Sequence, residues 1–195
     1  FHINGDEVQN VLTHLSSLDL NEGINIIIPA WELEYYPDVW RESINIFDEV
    51  WAISEYVKNM FSGWSRPVVR YVGQCAEREN GLLYPKKYFG IRGSSLVFLA
   101  FYDQSSYFTR KNPSYFIDMY KELRKRHPYS NFQFVVKSKN FSEKSDLIVD
   151  ECDKNIIYIN KNLDYDEVTS LIDCCNVFVS LHRAEGFGRG PAEAV

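Results

Sequence analysis

The closing stretch HRAEGFGRGPAEAV, residues 182–195, sets two glutamates, Glu185 and Glu193, around three glycines and a proline. It continues an apolar run, VFVSLH at 177–182, that reads as a strand, and Gly190 and Pro191 suit the first turn of a helix. A strand, a glycine turn and a helix start make an anion site, because the first amides of a helix lack intrahelical partners and the dipole favours negative charge. Those amides belong to Phe187, Gly188 and Arg189, and Gly186 and Gly188 remove side chains that would keep a diphosphate away. Glu185 and Glu193 stand eight positions apart; a helix of that length covers about 12 Å, and a partial turn covers less. Carboxylates accept hydrogen bonds from neighbouring hydroxyls, so one could meet a sugar and the other a ribose, on either side of the diphosphate. The same residues also read as a glycine-rich turn with two exposed glutamates.

Such a site needs a parallel α/β scaffold, and the rest of the chain supplies the pattern for one. Strand-like runs recur at 24–30, 49–54, 67–72, 95–102, 132–138, 155–160 and 177–182, alternating with helix-like segments. Val8, Val11, Leu12, Leu15 and Leu18 mark one helix face; Phe116, Met119, Tyr120 and Leu123 mark a second, and Val168, Leu171, Ile172 and Cys175 a third. These stripes read as core-facing. Asn112 precedes Pro113 as a helix cap, and Asp164 with Glu167 three positions later forms a capping-box pattern. Residues 73–94 show no sustained period and read as a connector. The expected division is an N-terminal unit at 1–75, a connector at 76–94 and a second unit at 95–195. The missing initial Met and the helix cut at Val195 predict a fragment.

Of the 195 residues, 45% are hydrophobic and 15% aromatic, a composition that supports a packed core and excludes disorder. The net charge of −6 argues against a nucleic-acid partner. The basic cluster Lys121–Arg126 falls late in a predicted helix, where positive charge complements the dipole. Cys75, Cys152, Cys174 and Cys175 show no zinc or CxxC spacing and read as reduced, cytosolic thiols. No apolar run reaches the roughly 18 residues of a membrane span.

With these elements in place, EGFGRGPAEAV resembles the E-x7-E signature of retaining family-4 glycosyltransferases of the GT-B fold. NKNLDYDEVTSLIDCCNVFVSLHRAEGFG resembles the family's segment running to its sugar site, and SYFTRKNPSYFIDMYKEL the stretch after the first strand of its nucleotide-binding domain. PAWELEYYPDVW and FDEVWAISEYV resemble the end of the acceptor-side domain of some bacterial members. The resemblance implies an α/β GT-B fold with two Rossmann-like parallel-sheet units. It implies Glu193 on the ribose, Glu185 on the transferred sugar, Lys111 on the phosphates, and Phe187, Gly188 and Arg189 as backbone donors. The implied partners are a nucleotide diphosphate sugar as donor substrate and a sugar or lipid-linked glycan as acceptor. No separate cofactor is implied, and the implied setting is cytoplasmic, with peripheral membrane contact left open for parts outside this chain. The chain also departs from the family. The first strand of the second unit ends LAFYD without the usual Gly-Arg pair, for which Arg110 is a candidate replacement, and Arg189 stands where an apolar residue is common. In place of a donor-contacting histidine near an N-domain strand end there are Trp31 and Glu32; His2 reads as structural, and His182 is placed to line the site.

The pattern Asp164-Tyr165-Asp166 matches the D-x-D metal motif of another glycosyltransferase fold, but Asp164 has a local task as a cap, so no metal is expected. A hydrolase using Glu185 and Glu193 as acid and nucleophile is the alternative for a carboxylate pair; a site built for anions favours a phosphate leaving group. The expected reaction is metal-independent transfer of a sugar to an acceptor hydroxyl with retention. A nucleotide-sugar-binding module without turnover, and an epimerase or phosphorylase of the same fold, remain as other readings.

Overall fold

All seven apolar runs form strands, and every pairing among the described residues is parallel. The computed structural model describes residues 1–15, 20, 22–78, 83–139 and 153–195. They fall into two units, one of Phe1–Cys75 with Ala184–Gly188 and the other of Ala76–Arg183 with Arg189–Val195.

The first unit holds a three-stranded sheet in the order β1 (Ile26–Ile27), β2 (Glu49–Ala52), β3 (Val68–Tyr71). Helix α1 (Val8–His14) precedes β1, a single 3-10 turn and α2 (Arg41–Ile44) lead into β2, and α3 (Glu55–Met60) joins β2 to β3. The expected core-facing stripe of α1 holds only in part: Val8 is buried and Val11 and Leu12 are half-buried, whereas Leu15, at the end of the helix, is exposed; Leu18 lies outside the described residues. Strand β1 is shorter than its apolar run because Pro29 has no N–H to donate, and the Ile28 N–H turns instead to the Phe1 carbonyl at 2.7 Å. Val8, Ile27, Ile44, Val50, Ala52 and Val57 are fully buried at its centre. Tyr36 packs on Phe61 at 4.7 Å between ring centroids and accepts a hydrogen bond from the Gly5 N–H at 2.8 Å, so its one polar atom is satisfied.

The second unit has four strands in the order β6-β5-β4-β7: β4 is Leu96–Asp103, β5 Phe132–Lys139, β6 Ile156–Asn160 and β7 Val177–Phe178. Strand β5 is buried along its whole length except Lys139, as a central parallel strand covered on both faces must be. One face carries Val97, Leu99 and Val135 against Leu171 and Ile172 of α6 (Tyr165–Cys174). The other carries Phe132, Phe134 and Val136 against Phe116, Ile117 and Tyr120 of α5 (Pro113–Arg126). Fully buried Phe134 stacks on Phe98 at 4.7 Å, and truncating such a ring to alanine costs about 3–5 kcal/mol. Two further short helices flank the sheet edge, α4 (Phe108–Lys111) before α5 and α7 (Arg189–Glu193) after β7. Cys75, Cys174 and Cys175 are free thiols, and Cys152 lies outside the described residues.

The expected cap at Asn112 takes a different form. Pro113 does occupy the first turn of α5, but Asn112 is left-handed, with φ 50°, and makes no side-chain cap; its Nδ2 donates to the Leu181 carbonyl at 3.0 Å. Asparagine enters that backbone region more readily than most residues with a side chain. The Asp164–Glu167 capping box forms as expected, with both reciprocal bonds present at 2.8 and 3.0 Å.

Glu167 also accepts from Tyr88 Oη at 2.6 Å and Lys161 Nζ at 3.0 Å, and these bonds, the tyrosine's foremost, hold its carboxyl at about 2 against an ordinary 4.5. A carboxylate depressed on folding contributes stability above its unfolded value and loses it as pH falls through the folded one. Urea-unfolding midpoints should therefore decline through this group between pH 4.5 and about 2, and Glu167→Gln should flatten that decline. Identical pH slopes for both proteins would show that Glu167 does not carry it.

Candidate functional site

In the parallel sheet of the second unit β7 ends at Phe178 opposite Leu99, four residues before β4 ends at Asp103, and the chain beyond β7 continues along β4, with the Val179 N–H donating to the Leu99 carbonyl at 2.8 Å. Beyond β4 the Asp103 carboxylate accepts from the Ser105 N–H and hydroxyl at 2.9 and 2.7 Å, a local turn that feeds into α4. Beyond β7 the chain is tied to α4 and its end: the Arg183 N–H donates to the Arg110 carbonyl at 2.8 Å, and Asn112 reaches Leu181. His182 Nε2 donates to the Phe101 carbonyl at 3.2 Å. Three of the residues marked in the sequence, Arg110, Lys111 and His182, thus gather at one sheet edge. Lys111 and His182 line a recess of only about 20 Å³, large enough to orient side chains and too small to enclose a sugar. Arg110 Nη2 donates to Ser106 Oγ at 2.6 Å.

Arg189 and Glu193 begin and end α7, a helix of five residues. A helix of barely more than one turn has little summed dipole, so any anion binding here rests on its first amides rather than on the macrodipole. Arg189 Nε donates to Glu193 Oε1 at 2.5 Å, and the Glu193 side chain is only 15% exposed against 71% for Arg189. Both line a cavity of about 230 Å³ whose wall includes Arg78, Leu163, Asp164 and Tyr165. Asp164 is engaged in the helix cap, and among the described residues no group of three or more His, Cys, Asp or Glu side chains gathers.

Ala184–Gly188 cluster with the first unit, where Gly186 is held on two sides. A Cβ on Gly186 would stand 2.6 Å from the Trp31 carbonyl oxygen, so only glycine fits beneath that backbone. The Gly186 carbonyl accepts from Ser54 Oγ at 2.5 Å. Gly188 has φ 79°, a left-handed conformation open to glycine. The Phe187 and Gly188 N–H groups have no hydrogen-bond partner among the described residues. Glu185 is half-buried at the start of the same turn. Glu32, set beside Trp31, accepts through its backbone carbonyl from Tyr56 Oη at 3.3 Å, and His2 is exposed on a separate cavity of about 300 Å³.

Three residues near these sites escaped the sequence reading. Lys137, two positions from the end of β5, is 8% exposed, with Nζ donating to the Ser138 carbonyl at 2.8 Å; burial, and then Lys139, push its ammonium below the usual lysine value. A lysine inside the apolar run FQFVVKS was the available signal. Tyr165 at the cavity beside Glu193 and Ser54 beneath Gly186 are brought there by tertiary packing alone.

No protein-family model and no curated protein sequence matches the chain. Solved structures do. An α,α-trehalose-phosphate synthase (UDP-forming) from Burkholderia vietnamiensis is 12% identical with a TM-score of 0.63, covering 95% of this chain and 51% of that one. Pneumococcal O-GlcNAc transferase GtfA, in complex with UDP and GlcNAc, is 14% identical with a TM-score of 0.60, covering 86% and 35%. S. aureus TarM, in a complex that includes UDP, is 10% identical with a TM-score of 0.59, covering 86% and 34%. The chain thus spans about half or less of these enzymes, and what it shares with them is the α/β fold of GT-B glycosyltransferases.

Proposed function

We propose that this chain is part of a retaining glycosyltransferase that moves a sugar from a nucleotide diphosphate donor to an acceptor hydroxyl without a metal. The observation that carries the reading is the glycine turn after β7, whose Phe187 and Gly188 amides have no partner among the described residues, on a fold shared with enzymes solved with UDP. In this reading Lys111 neutralises the departing diphosphate, with Arg110 in support. The Phe187, Gly188 and Arg189 amides offer fixed donors where negative charge grows as the sugar takes on oxocarbenium character. Glu193 meets the ribose: Arg189 donates to its Oε1, and both residues line the neighbouring cavity. Glu185 meets the transferred sugar, His182 lines the site, and the leaving phosphate takes the acceptor proton. The acceptor is a sugar or a lipid-linked glycan.

The two glutamates separate by experiment on a form of the protein that turns over a nucleotide sugar. Glu193→Ala should weaken both the sugar donor and the bare nucleoside diphosphate by about tenfold to a hundredfold, the worth of a charged hydrogen bond. The fold should survive, because the ion pair lost with it has a 71% exposed arginine as partner and such pairs contribute little. Glu185→Ala should leave diphosphate affinity near wild type and lower turnover, since its contacts matter as charge develops in the ring. Calorimetry and initial rates check both; equal loss of diphosphate affinity in the two variants would mean that the glutamates hold the turn and do not divide the ligand.

A further inference from the structure

Ser54 serves two partners with one hydroxyl. As the cap of α3 its Oγ accepts the Val57 N–H at 3.0 Å, and its own proton goes to the Gly186 carbonyl at 2.5 Å, across 132 positions of sequence. The helix start alone explains the first bond. The second has a consequence one residue further on, because the Gly186–Phe187 peptide is planar and trans, so its carbonyl and its N–H point in opposite directions. Holding the Gly186 oxygen against Ser54 aims the Phe187 N–H away from α3. The Trp31 carbonyl, against which only a glycine fits at 186, blocks the turn from sliding along that contact. The Phe187 N–H so aimed has no partner among the described residues.

We infer that Ser54 is a positioning residue: its hydroxyl fixes the Gly186–Phe187 peptide so that the Phe187 amide is presented as a ready donor to the diphosphate of the ligand. This rests on the nucleotide-sugar reading and adds to it a residue from the far end of the chain that touches no substrate. An amide held in place beforehand costs no reorganisation when the charge arrives, whereas a peptide free to rotate exposes its carbonyl to the anion for part of the time.

Ser54→Gly separates this role from capping, since glycine at the cap position weakens a helix by only a few tenths of a kcal/mol relative to serine but has no hydroxyl to donate. Ser54→Thr keeps both bonds. Calorimetry on the natural-length protein with a nucleoside diphosphate and with the matching nucleoside reads the difference. Ser54→Gly should lose about threefold to tenfold in diphosphate affinity, the scale of one hydrogen bond, with nucleoside affinity unchanged and Ser54→Thr restored. A merely structural serine would move both ligands together or neither. Unchanged diphosphate binding in Ser54→Gly, an equal loss for both ligands, or a threonine variant as weak as the glycine one would overturn the assignment of Ser54 alone. A wild-type protein that binds neither ligand would overturn the nucleotide-sugar reading with it.

Discussion

Strand β4 lies between β5 and β7, and all three run in the same direction. Parallel strands cannot be joined by tight turns, so a connection must leave the carboxyl edge and cross back, as α5 does between β4 and β5 and α6 between β6 and β7. With one crossover carried over each face, the chain parts at the end of β4, and the segments that follow β4 and β7 meet there with backbone groups the sheet no longer pairs. The Arg183 to Arg110 bond and the Asn112 to Leu181 bond satisfy some of those groups and join the two segments. Lys111 and His182 come together because of that topology, although 71 positions of sequence separate them.

The chemistry assigned to the site follows from what such an edge can offer an anion. Arg110 and Lys111 sit on the single-turn helix α4 and supply charge. Backbone amides supply geometry. In the turn Ala184–Gly188 that geometry is set by packing on the first unit: a carbonyl of Trp31 where any Cβ would collide, and a serine hydroxyl on the next carbonyl along. The sequence suggests that Gly186 clears space for a ligand; in the structure the space that a Cβ would fill is taken by the Trp31 carbonyl.

Much of the scaffold was legible in the sequence because it depends on local pattern. Apolar runs marked all seven strands, helical stripes marked α1, α5 and α6, and the capping box at Asp164 and Glu167 is a four-residue signal that needs no tertiary partner. The short helices α2, α3 and α4 are not legible, since four to six residues span little more than one 3.6-residue turn and cannot show a repeated apolar spacing. Asn112 holds the expected cap position before Pro113, but its side chain bonds Leu181, 69 positions away, instead of the helix amides. Of the candidate site, residue identities and order were visible, while the recess at Lys111, the cavity beside Glu193 and the hold of Ser54 on Gly186 depend on which elements pack together. Lys137 was visible as an anomaly in an apolar run, and only burial gives it meaning.

On the proposed function, a nucleotide diphosphate is held by the segments that follow β4 and β7. Backbone amide hydrogen exchange, measured residue by residue with and without UDP, GDP or ADP, tests this most directly, because a ligand slows exchange where it binds and stabilises. Added protection is expected at residues 104–112 and 181–189 with at least one of the three. Protection confined to other parts of the chain, or none with any nucleotide, would contradict it.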